Sequence, residues 1–211
     1  KVVGKGEDKR VVKAVRIPLA FQNYIVDFST AFEVGEPVTV SGDENNNVSD
    51  ALTDLWKENR LDALIYDLVE ERKSKYQSAI LFYIRDISAG RSFVKSSGIN
   101  PKKDIKAKVL RNKDGVMTPI FDSSMDMIAF SWQFTTKDEK GKDKTTIWLY
   151  DNQNVFEIEK GKAGFKIVDT KVHGFDCIPI VYTSQENTEY QRVLPLIDRY
   201  EVALSKLGAS N

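Results

Sequence analysis

The sequence predicts an α+β fold, with helices packed on an antiparallel, meander-rich β-sheet. Three observations carry this. Apolar residues recur at helical spacing in three separated stretches, at 18–33, 52–69 and 193–207. Between them the period changes to two: Ile128, Phe130, Trp132 and Phe134 alternate with Ala129, Ser131, Gln133 and Thr135. Short β-rich runs at 145–150, 155–158 and 165–168 follow, separated by turn residues, as hairpin-linked strands would be.

The first helix is expected over about 18–33, with Pro18 at its first position, where a missing N–H costs nothing. Phe21, Tyr24, Ile25, Phe28, Ala31 and Phe32 share one face. Gly35 is expected in the left-handed conformation that ends a helix, Pro37 prevents resumption, and Val38, Thr39 and Val40 read as a short strand. After a polar loop at 41–47, Leu52, Leu55 and Trp56 mark a short amphipathic helix halted near Asn59. Leu61, Leu64, Ile65, Leu68 and Val69 form the apolar stripe of the next helix, with Glu70, Glu71, Arg72 and Lys73 as its solvent face. Residues 79–84 read as a strand buried on both faces, 86–104 as loop and 105–110 as a half-exposed strand. The stretch 137–144 is a charged hairpin tip around Gly141. A last helix starting near Leu194 keeps Pro195 in its first turn. Val193, Ile197, Tyr200 and Leu204 form its seam, expected to pack against the chain or a neighbouring subunit.

Composition narrows the chemistry. The 31 basic and 31 acidic residues cancel, which disfavours holding DNA by broad phosphate neutralisation. A single cysteine, Cys177, rules out an internal disulfide. No stretch approaches the roughly 20 apolar residues of a membrane span, so no membrane partner is expected. His173 is the only histidine, so a two-histidine metal site is excluded and a Ser-His-Asp triad would rest on it alone. Asp122 and Asp126 are the candidate pair for a metal-dependent nuclease or hydrolase. Mg²⁺, however, needs carboxylates that converge in space, and pairs at this spacing arise by chance. Phe130, Trp132, Phe134, Trp148 and Tyr150 would stack on single-stranded bases only from an exposed sheet face; their neighbours are not basic, so they read as core. A non-enzymatic adaptor using the tip at 137–144 is a further alternative. No catalytic, cofactor-binding or metal residue is assigned, and the chain is read as not an enzyme.

Taken in order, these pieces resemble the portal (head–tail connector) proteins of tailed bacteriophages and prophages. FEVGEPVTV at 32–40 is similar to the family's aromatic helix ending in a Gly-x-Pro-Val turn. LTDLWKENRLDALIYDLVEERKSKYQSAILFYI at 52–84 resembles its helix pair leading into a strand, the hairpin at 126–150 its strand pair, and WLYDNQNVFEIE at 148–159 the strands beyond. HGFDCIPIVYTSQENTEYQRVLPLIDRYEVALSKL at 173–207 resembles its Ile-Pro-Ile-Val strand and Leu-Ile-Asp-x-Tyr helix. Asp176 and the Gln77-Ser78 pair depart from the usual small residues.

Residues 1–11, polar and Gly-containing, read as a flexible tail, and 208–211, just after a helical pattern, as a truncated end. The resemblance implies a wing-like α+β domain over 12–207, without the channel-lining helices. It further implies self-association into a ring at the capsid vertex, terminase and head-completion or tail proteins as partners, and no cofactor. Double-stranded DNA would pass through the channel without sequence specificity. The implied location is the virion, and the bacterial host cytoplasm during assembly.

Overall fold

The computed structural model describes residues 2–3, 10–11, 17–41, 47–86, 103–137, 141–161 and 164–208. Within them lie four helices: α1 (Phe21–Val34), α2 (Asn47–Asn59), α3 (Leu61–Lys75) and α4 (Leu194–Gly208). A three-stranded sheet has the order β10 (Ile180–Ser184), β3 (Gln77–Asp86), β4 (Lys103–Leu110). The second sheet is a five-stranded antiparallel meander. It runs through β5 (Gly115–Phe121), β6 (Met127–Lys137), β7 (Asp143–Tyr150), β8 (Asn154–Gly161) and β9 (Gly164–Val172). A two-residue ladder joins β1 (Val2–Val3) to β2 (Arg10–Val11). The fold is α+β.

The strands alternate faces, and that alternation sets the layers. Ala79, Leu81, Leu110 and Ile180 share one face of the small sheet and form a single core with Met117, Phe130, Trp132 and Tyr150 of the meander. Helix α3 packs against β3 and β4 from the small sheet's other side, and α1 lies on α3. The order is therefore α1, α3, small sheet, meander. Because β3 is central and covered on both sides, Ser78, Ala79, Ile80 and Leu81 are all buried. Asn59 ties α2 to β4: its Nδ2 donates to the Ile105 carbonyl at 3.0 Å, and its Oδ1 accepts from the Ala107 N–H at 2.9 Å.

Five expectations are corrected. Pro18 lies ahead of α1, whose N-cap is Ala20; the Ile17 and Leu19 amides are instead taken by Ser205 Oγ (3.1 Å) and Glu201 Oε1 (2.9 Å) of α4. Gly35 is right-handed, with φ −71°; a Cβ there would overlap the Ala31 carbonyl oxygen, so glycine supplies space rather than a left-handed turn. Helix α1 still stops there, because Pro37 disfavours a helical Glu36. Val38, Thr39 and Val40 join no ladder, and the Val38 N–H donates to Asp62 Oδ1 at 3.1 Å. Lys73 is buried and Arg72 mostly covered, because α1 lies over that end of α3. Lastly, Ile128 is half exposed while Met127 packs on the core. The register slips between Ile120 and Phe121, which leaves Ile128 without an opposite residue.

Strand β5 was not anticipated from the sequence. Pro119 argues against a strand interior, but β5 is an edge strand, where the missing N–H faces away from the ladder. The loop expected at 86–104 falls mostly outside the described residues, as does 138–140 of the hairpin tip.

Candidate functional site

Helix α1 is held inward by polar groups. Val26 and Thr30 are its buried residues. Beside them Lys73 Nζ donates to the Ser29 carbonyl at 2.9 Å, bonds Ser29 Oγ and pairs with Glu33 at 3.0 Å. Arg72 Nη2 reaches both Glu33 oxygens, at 2.6 and 2.8 Å. Burial pushes the Glu33 carboxyl up, but hydrogen bonds from Lys73 and Arg72, and then their charges, outweigh it and hold it below the usual glutamate value.

The aromatic face of α1 consequently points outward. Phe21, Tyr24, Phe28 and Phe32 are all exposed, Phe28 at 66% and Phe32 at 89%, and the Tyr24 and Phe28 rings stack at 6.4 Å. Fully covering one such side chain is worth roughly 1.5–3 kcal/mol. A contiguous row of this kind on a surface helix is a candidate contact surface.

A second feature lies between the two sheets, where the core opens outward. The Trp132, Phe134 and Trp148 rings form a row, with Phe134 edge-on to Trp148 at 4.9 Å. A Cβ on Gly115 would stand 2.8 Å from the Trp132 ring, so glycine there admits the indole. Lys108 Nζ sits 5.6 Å from the Trp148 ring and 5.8 Å from Tyr83, a cation–π arrangement. Desolvation by these rings lowers the Lys108 pKa from its ordinary value. Lys108 and Trp148 separate two clefts. One, of about 460 Å³, runs toward Tyr83, Glu157, Asp169 and Lys171. The other, of about 500 Å³, is lined by Trp132, Phe134, Arg111, Lys113 and Asp114.

Formal neutrality conceals a segregation of charge. Residues 17–56 contain seven acidic residues (Asp27, Glu33, Glu36, Asp43, Glu44, Asp50 and Asp54) and no lysine or arginine. Residues 102–113 contain six basic residues against one acidic, Asp104. The first segment includes α1; the second includes β4 and the cleft's basic rim. This signal is legible in the sequence, but summing charge over the whole chain hides it.

The remaining candidate residues have local structural roles or lie exposed. Asp122 Oδ1 accepts from the Ser124 and Asp126 amides at 2.8 and 3.0 Å, which builds the β5–β6 turn; Asp126 is exposed at its end. His173 Nδ1 accepts from the Phe175 N–H at 3.2 Å, leaving Nε2 to donate to the Asp151 carbonyl at 3.0 Å. Nε2 thus ties the β7–β8 turn to the end of β9, while Nδ1 holds the chain just beyond β9. Cys177 is free and exposed. Among the described residues no three His, Cys, Asp or Glu side chains gather as a metal site would require. In the α4 seam, Ile197 is buried, Leu204 half-buried, and Val193 and Tyr200 exposed. Among the described residues no helix is long and apolar enough to cross a membrane.

These surfaces suit assembly rather than turnover of a substrate, and comparison with known proteins agrees. No curated protein matches the chain. The family described as "Phage portal protein, SPP1 Gp6-like" matches residues 1–210. That family is a structural one of the virion, built from ring-forming subunits. With nearly its whole length covered, the chain belongs to the SPP1 Gp6-like family of phage portal proteins.

Proposed function

We propose that this chain forms part of a portal ring at the capsid vertex, a passage for double-stranded DNA in packaging and ejection. In this reading its outer surfaces are docking platforms for terminase during packaging and for head-completion and tail connector proteins afterwards. It works as a scaffold, in the host cytoplasm while heads assemble and in the virion thereafter. DNA passes without sequence-specific contacts; a channel wall that neutralised many phosphates would bind the passing duplex and slow it.

The observation that carries the reading is the outward aromatic row of α1, set by an inward polar lock to meet something other than its own chain. The family match supports it from outside the structure. The test is genetic: an amber codon at Trp56 in the phage or prophage that encodes the protein, with heads examined by electron microscopy. Heads without DNA, restored to DNA-filled heads by a suppressor strain, are expected. DNA-filled, tailed particles without the suppressor would overturn the proposal.

A further inference from the structure

We propose that neighbouring copies join head to tail through the two surfaces described above. The acidic aromatic face of α1 on one copy seats in the basic, aromatic-lined cleft between the sheets of the next. This rests on the portal reading and adds to it which faces meet.

Placement requires two chains. Helix α1 lies on α3, on the far side of the small sheet from the cleft, so one copy cannot bring its own α1 to its own cleft. A contact between two different patches is heterologous, and repeated around an axis it closes a ring; a patch meeting itself would stop at a dimer.

Charge selects the pairing. Asp27 and Glu36 accompany the α1 rings, and no cation lies between residues 17 and 56 to oppose a basic partner. On the cleft side, neither Lys108 nor Lys113 has an ion-pair partner among the described residues. Arg111 is held by Asp67 at 2.7 Å, and among the described residues Asp114 is the one carboxylate lining that cleft. Opposite potentials across a contact steer the encounter and fix its register.

Shape and chemistry also fit. About 500 Å³ lies in the range of pockets that enclose a small ligand, room for the Phe28 or Phe32 ring. A ring entering there meets Trp132, Phe134 and Trp148 edges and the Lys108 ammonium, which favour aromatic and cation–π contacts.

The test uses the full-length gene product with Cys177→Ser and any cysteine outside residues 1–211 likewise replaced by serine, so that no native thiol remains. Phe32→Cys and Lys113→Cys are made singly, both at exposed positions, and the proteins are mixed under mild oxidation. A disulfide requires Cα atoms within about 7 Å, so the crosslink reports proximity directly. The mixture is expected to give a crosslinked dimer, each variant alone to stay uncrosslinked, and a chain carrying both to give a ladder. Phe32→Cys crosslinking to itself as readily as in the mixture would overturn the pairing. So would a ring of normal mass, by light scattering, with no crosslink in the mixture. A protein that forms no ring even unsubstituted would count against the portal reading itself. Independently, Lys108→Glu with Lys113→Glu is expected to weaken ring formation about tenfold, and Asp27→Lys with Glu36→Lys on the same chain to restore it. Unchanged assembly in the first pair, with an unchanged far-ultraviolet circular dichroism spectrum, would also overturn the pairing.

Discussion

The rings of Phe130, Trp132 and Tyr150 and those of Phe21, Tyr24, Phe28 and Phe32 are chemically alike but placed oppositely. The first group is buried between two sheets; the second stands in solvent along a helix. The difference lies in what opposes each face. Strand β6 has apolar residues of β3, β4 and β10 across from it, so its large side chains turn inward. Helix α1 is met by Lys73 and Arg72, which take Ser29 and Glu33, and its polar side becomes the inner one. One aromatic group builds the subunit, and the other is left for contact.

That contrast can be broken at several points. Phe130→Ala removes a fully buried ring and should cost about 3–5 kcal/mol in urea unfolding. A loss below about 1 kcal/mol would mean the sheets do not share a core. Lys73→Met removes the buried cation from the α1–α3 contact and should cost about 2 kcal/mol, from lost charged hydrogen bonds and an orphaned Ser29 carbonyl. No loss in denaturant stability would show that α1 is not held this way.

Two pH effects follow from the shifted groups. Glu33 is depressed in the fold, so its contribution is present above the unfolded value near 4.5 and is lost as pH falls through the lower folded value. Glu33→Gln should flatten the acid side of the stability profile relative to the native chain, measured as urea midpoints from pH 6 downward. Tyr150 is pushed up to about 12 by burial, so its contribution is complete below about 10 and declines between 10 and 12. Tyr150→Phe should lessen alkaline destabilisation in that window. The smallest stability effect is expected at Phe28→Ala, within about 0.5 kcal/mol, since the side chain is exposed in the isolated subunit.

Much of this architecture was readable from pattern. The heptad-like stripe of α3, the start of α4 at Leu194 and the strands from β6 to β9 follow directly from period and turn residues. The outward face of α1 was not, because spacing identifies an apolar stripe without saying which neighbour will face it. Only the tertiary contact through Lys73 decides that, and Lys73 itself reads as a surface charge in isolation. The α1–cleft pair was half legible. The acidic run at 17–56 and basic run at 102–113 are plain in the sequence, but the aromatic lining of the cleft depends on how two sheets separated along the chain come to lie together.

The most direct test of an outward, partner-seeking α1 is hydroxyl-radical footprinting with mass-spectrometric readout, comparing unassembled subunits with assembled rings. Oxidation of Tyr24, Phe28 and Phe32 is expected to be high in the free subunit and to fall several-fold in the ring, while Phe130 stays protected in both. Equal oxidation of the α1 aromatics in the two states would contradict the role assigned to that helix.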